Sequence, residues 1–123
     1  MKLLLDEHLP KAVAATLRRL LPVTDVHHIA DWANGQWLGE EDAVLLEGLW
    51  QDRRILVSYD RATLPGHLAE RIAEGKDHAG MIFVDPERFP VTRIGGMARA
   101  LGKLLNAYLA PRDWINRIVT LTT

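Results

Sequence analysis

The chain contains no cysteine, which excludes disulfides, thiolate zinc sites and thiol catalysis together. Long apolar runs are missing as well. Leu3, Leu4 and Leu5 are interrupted by Asp6 and Glu7, and nothing later approaches the ~18 uncharged apolar residues of a membrane span. A cytoplasmic location without a membrane partner is therefore expected. Internal repeats, low-complexity tracts and linkers are also absent, so the 123 residues predict one domain spanning 1–123. A chain of this length buries roughly 65% of its unfolded surface, enough to hold a core without a disulfide or structural metal.

An excess of charge of either sign is missing too: 15 Lys and Arg face 16 Asp and Glu, a formal net charge of −1. Taken alone, that balance argues against a general nucleic-acid coat protein. It conceals a polarity. Residues 1–87 carry 9 basic and 15 acidic side chains, whereas residues 88–123 carry 6 basic and 1 acidic. Between Asp31 and Asp60 stand Glu40, Glu41, Asp42, Glu47 and Asp52, opposed only by Arg53 and Arg54.

Short apolar runs closed by an acid recur along the chain: Lys2 to Leu5 before Asp6, Ile55 to Tyr59 before Asp60, and Met81 to Val84 before Asp85. Each predicts a strand buried on both faces, because its apolar residues are continuous instead of alternating. Val23 to Ile29 is a weaker strand candidate, and Trp114 to Leu121 alternates well enough to predict a last strand. Helices are predicted between them. Leu9, Val13, Leu17, Leu20 and Leu21 form one apolar stripe ended by Pro22, and Leu45, Leu46 and Leu49 form another over 41–50. A third helix over 64–75 starts at Pro65 and ends at Gly75, and a long fourth begins near Ile94 and stops by Pro111. Asp31 to Gly39, with Trp32 and Trp37, reads as a loop or a broken helix. Alternating strands and helices predict a three-layer α/β domain with a central, mainly parallel sheet.

In such folds ligands bind beyond the carboxyl ends of the strands. Asp6, Asp60 and Asp85 fall there. Asp42 precedes Leu45, Leu46 and Leu49 by three, four and seven residues, so it begins the inward stripe of its helix and is aimed at the same end of the sheet. Like charges held a few ångströms apart raise one another's pKa unless a cation intervenes. Oxygen ligands without Cys suit a hard ion, Mg²⁺ or Mn²⁺, which generates hydroxide and stabilises in-line attack at a phosphodiester. The plainer reading of each acid is local: Asp6 and Asp60 as caps of the helices that follow, Asp42 as the partner of a helix dipole.

Leu3-Leu4-Leu5-Asp6-Glu7-His8-Leu9-Pro10, the helix of Asp42 and Ile55-Leu56-Val57-Ser58-Tyr59-Asp60 resemble, in order and spacing, the short PIN-like domains of prokaryotes (the DUF5615 type), related to the nuclease toxins of toxin–antitoxin pairs. His78-Ala79-Gly80 and Asp113 to Arg117 look like the later part of one branch of that family. The resemblance implies a Rossmann-like PIN-like fold and a Mg²⁺- or Mn²⁺-dependent endoribonuclease acting on RNA, often partnered by a small antitoxin. It implies Asp6, Asp42 and Asp60 as catalytic metal ligands and Ser58 in the place of the family's Thr. Asp85 is the candidate for a fourth acid. There are departures: His8 stands where Asn is common, and Ala62 and Thr63 stand where relatives carry a second acid and Phe. The second departure motivates an alternative, a non-catalytic PIN-like module that binds a partner protein or RNA.

Arg61 beside Asp60, together with Arg99 and Lys103 four residues apart, are the candidate phosphate contacts, with Ser58 as a further substrate contact. His27 and His28 are neighbours on a strand and face opposite ways, a poor metal pair. His67 and His78 lie in or near predicted loops; a structural role is the plainer reading, with support of the acids as the alternative for His78, which precedes Gly80. Trp32 and Trp37 serve a homodimer, an antitoxin or an RNA strand equally well. A phosphoacceptor receiver domain, which also uses acids at strand ends, is disfavoured because Asp85 and Leu121-Thr122 occupy the positions of its Ser or Thr and its Lys.

Overall fold

A computed structural model describes residues 1–122. Nine main elements alternate: β1 (Lys2–Leu5), α1 (Lys11–Leu20), β2 (Asp25–His28), α2 (Asp42–Asp52), β3 (Ile55–Ser58), α3 (Leu64–Ala73), β4 (Met81–Phe83), α4 (Ile94–Ala107) and β5 (Ile118–Thr120). The strands form one sheet in the order β2-β1-β3-β4-β5. Every pairing is parallel. The domain is thus a three-layer, Rossmann-like α/β fold, as the apolar runs predict.

Register decides which residues face which layer. Leu3 pairs with Ile55, Leu4 with Leu56 and Leu5 with Val57. Leu3, Leu5, Ile55, Val57, Ile82 and Val84 face α1 and α4, where they pack on Val13, Leu17, Met97 and Leu101. Leu4, Leu56, Met81 and Phe83 face the other way, onto Leu45, Leu46 and Leu49 of α2 and Leu64 and Leu68 of α3. Each such fully buried side chain contributes roughly 1.5–3 kcal/mol relative to an exposed one. Among the described residues, no helix is long and apolar enough to cross a membrane.

The crossover β1 to β2 runs one way across the sheet and the other three run the opposite way. Since α1 and α4 share one layer while α2 and α3 share the other, the last crossover has the opposite hand to the first three. Its consequence is a basic helix in the layer away from α2.

The expected last strand is shorter than its sequence pattern. Pro111–Trp114 forms a 3-10 turn, and only Ile118–Thr120 joins the sheet. Trp114 is fully buried in the α1/α4 layer, its Nε1 donating to the Tyr108 carbonyl at 3.1 Å. Its backbone also fixes the approach to β4: at Gly80, where φ is +118°, a Cβ would stand 2.9 Å from the Trp114 carbonyl oxygen. Only glycine satisfies both the backbone angle and that contact. The Trp32–Gly35 segment is a broken 3-10 turn, with Ala33 and Asn34 in left-handed conformations.

Candidate functional site

The strand order reverses direction between β1 and β3, since β1 is followed by a strand on one side and flanked by β3 on the other. Sheets of this order bind ligands in the crevice beyond the carboxyl ends of those two strands. Asp6 and Ser58 stand at that crevice. The Asp6 N–H donates to the Val57 carbonyl at 2.9 Å, continuing the ladder one residue past β1 and fixing the backbone of the acid.

Ser58, only 1% exposed, joins the two strand ends. Its hydroxyl donates to Asp6 Oδ2 at 2.7 Å and accepts the Asp60 N–H at 3.0 Å. The other Asp6 oxygen accepts the Glu7 N–H at 2.9 Å. A carboxylate oxygen has two lone pairs, so each Asp6 oxygen retains one for a further partner.

Asp60 is engaged more heavily. Its Oδ1 accepts the N–H groups of Ala62 and Thr63 at 3.0 and 2.9 Å, and its Oδ2 accepts the Thr63 hydroxyl. The Thr63 hydroxyl and N–H hold the Asp60 carboxyl below the usual carboxylate range. This is the local turn role expected of an Asp before a helix, and it uses both lone pairs of Oδ1.

Asp42 occupies the first turn of α2, and His67 the first turn of α3. The two meet side by side, with His67 Nε2 3.5 Å from Asp42 Oδ2. Sequence reasoning left His67 without a role. Its usable signal was position: α2 and α3 share a layer, so the first turn of α3 lies beside the first turn of α2.

Asp6, Asp42 and Asp60 line one cleft of about 390 Å³, together with Glu7, Glu40 and His8. No Lys or Arg lines it. The three acids expected from the sequence are therefore brought together, and Glu7 and Glu40 join them. Among the described residues, however, no three His, Asp or Glu side chains converge on one point as a ready ligand shell. The two findings agree once rotamers are considered: Asp60 is turned toward Thr63 and Asp42 toward His67, so the carboxylates share walls without sharing a focus.

Other expected contributors lie elsewhere. Asp85 accepts the Glu87 N–H at 2.9 Å, with Arg61 3.9 Å away, and neither residue lines the cleft. His78 is buried before β4, at the opposite edge of the sheet, where its Nδ1 accepts the Gly80 N–H at 3.2 Å. It does not support the acids. Arg99 and Lys103 line a separate groove on α4. His28 is buried and donates from Nε2 to the Leu9 carbonyl at 2.9 Å while Nδ1 accepts the Ala30 N–H, a structural role.

Fold and site together define a parallel three-layer α/β domain with an acidic cleft at its topological switch point. No protein-family model, curated protein or solved structure matches the chain.

Proposed function

We propose that the chain is a PIN-like, Mg²⁺- or Mn²⁺-dependent endoribonuclease of the cytoplasm, of the kind that serves as the toxin of a toxin–antitoxin pair. The observation that carries this reading is the assembly of Asp6, Asp42 and Asp60, from three different elements, on one cleft that contains no Lys or Arg. Carboxylates so placed repel one another and repel a phosphodiester, and a hard divalent cation answers both. The donor set fits such an ion: it is all oxygen, Asp6 keeps a free lone pair on each oxygen, and Asp42 is held only by His67.

Asp6 and Asp42 would hold the cation, with Asp60 Oδ2 as the third ligand after release from the Thr63 hydroxyl. A bound cation supplies a lowered water pKa and a counter-charge for the attacked phosphate. Ser58 positions Asp6 and the backbone of Asp60 through one hydroxyl, so it is a positioning residue. His67 neighbours Asp42 and couples its orientation to α3.

A second reading, a non-catalytic PIN-like module binding RNA or a partner protein, draws support from Asp60, whose carboxylate already satisfies three local donors. Incubation of the purified protein with single-stranded RNAs in Mg²⁺ or Mn²⁺ separates the two. Cleavage reduced at least ~100-fold in Asp6→Asn and Asp42→Asn supports the nuclease. Cleavage unchanged in Asp6→Asn and Asp60→Asn overturns the site, and RNA retention without cleavage by the wild type selects the binding module.

A further inference from the structure

The cations of this molecule are used unevenly. Lys2, Lys11, Arg54, Arg61, Arg71 and Lys76 each pair with an acid. Among the described residues, none of the basic side chains after residue 87, Arg88, Arg93, Arg99, Lys103, Arg112 and Arg117, makes such a pair. Asp113 is the only acid in that segment. Arg18, Arg19 and Arg53 make no such pair either, but Arg18 is committed to the Val26 carbonyl and Arg53 to the Trp50 carbonyl, so the unpaired cations gather most densely on α4 and its flanks.

Arg93, Arg99 and Lys103 line one groove of about 200 Å³ whose floor is Gly96 and Ala100. All three charged residues are exposed. Arg99 and Lys103 lie four residues apart, about 6 Å along the helix axis and on one face. The glycines let the guanidinium groups lie close: a Cβ at Gly96 would stand 2.6 Å from Arg93 Nε, and one at Gly95 would stand 3.1 Å from Arg99 Nη1. A Cβ at Gly96 would make the Arg93 side chain shift, and one at Gly95 would move that of Arg99 by a few tenths of an ångström.

We propose that this face of α4 binds the phosphodiester backbone of single-stranded RNA, as a surface separate from the acidic cleft. Arginine presents a planar fork matched to phosphate oxygens, and a row of unpaired cations suits a chain of regularly spaced anions. An acidic protein fits less well. Stable protein interfaces centre on buried aromatic or aliphatic anchors, and this groove offers glycine and alanine between its charges. The surface stands on the charges of α4 alone and does not require the cleft to be catalytic.

The test is fluorescence anisotropy of a labelled single-stranded RNA with the full chain in EDTA, where metal-dependent cleavage is silent and only binding is read. Wild type is expected to bind with an affinity that falls with salt at a log–log slope of about −2, the value for three phosphate contacts. The double variant Arg99→Glu, Lys103→Glu is expected to bind at least ~10-fold more weakly while its circular dichroism and urea midpoint stay unchanged, since both residues are exposed. Equal affinity in that variant, or no salt-dependent binding by the wild type, overturns the proposal. So does competition by polyglutamate as effective as that by unlabelled RNA, which would make the partner an acidic protein. None of these outcomes bears on whether the cleft cleaves RNA.

Discussion

At the amino-terminal edge of the sheet Asp25 and Asp52 converge on Arg54, whereas at the carboxyl-terminal edge Asp6, Asp42 and Asp60 line a cleft with no Lys or Arg. Arg54 is 3% exposed and donates to Asp52 at 2.8 Å, to Asp25 at 3.1 Å and to the Leu3 carbonyl at 2.9 Å. Lys2 adds a second cation on Asp52 at 3.0 Å. The hydrogen bond from Arg54 holds the Asp25 carboxyl below its ordinary range. Burial works against Asp52, yet Lys2 and Arg54 bring its carboxyl below that range too. One edge is therefore an internally neutralised structural network. The other is acidic in excess, which is the state expected of a place that takes its counter-charge from outside.

The largest effect that would break this comparison is at the neutralised edge. Arg54→Met keeps the aliphatic stem but takes the guanidinium from Asp25 and Asp52 and a donor from the buried Leu3 carbonyl, and is expected to cost about 2–4 kcal/mol in urea denaturation. Asp6→Asn at the other edge is expected to be neutral or to gain up to about 1 kcal/mol without added metal, because it relieves repulsion. A comparable loss in both variants would show that the two edges are alike.

Ser58→Ala is expected to have the next largest effect. It leaves the half-buried Asp60 N–H without its acceptor and unties Asp6, at a cost of about 1–3 kcal/mol read by the same denaturation. Retained stability would mean that the strand ends are held by the ladder alone.

The smallest effect concerns His78 at the amino-terminal edge. Burial, aided by the nearby Arg71 charge, pushes its pKa below the ordinary histidine value. Between that folded value and the unfolded value of about 6.5 the unfolded chain binds more protons, so stability rises with pH. The contribution is full above the unfolded value and is lost as pH falls from there toward the folded one. His78→Gln is expected to flatten this part of the thermal stability profile, and an unchanged slope would remove His78 as its source.

The central strands were legible because Leu3–Leu5, Ile55–Val57 and Met81–Val84 are buried on both faces and read as unbroken apolar runs. The last strand was legible in place but not in extent: the buried Trp114 belongs to a turn, and only Ile118–Thr120, an edge strand with two of its three residues exposed, joins the sheet. Asp6, Asp42 and Asp60 were legible because strand ends and the first turn of an inward-facing helix converge by topology alone. The hydroxyl bridge of Ser58, the turn that occupies Asp60 and the contact of Asp42 with His67 were not. They depend on rotamers and on which first turns lie side by side, and neither is written in local spacing. Arg61 and Asp85 illustrate the same limit, since one follows Asp60 and the other closes the next strand, yet they face each other outside the cleft.

Uptake of a divalent cation by the acidic cleft is central to the proposed function. Isothermal titration of the full chain with Mn²⁺ tests it. One saturable site is expected in the wild type, lost or weakened at least ~10-fold in both Asp6→Asn and Asp42→Asn with their circular dichroism unchanged. No saturable binding by the wild type, or binding equally tight in those variants, would contradict it.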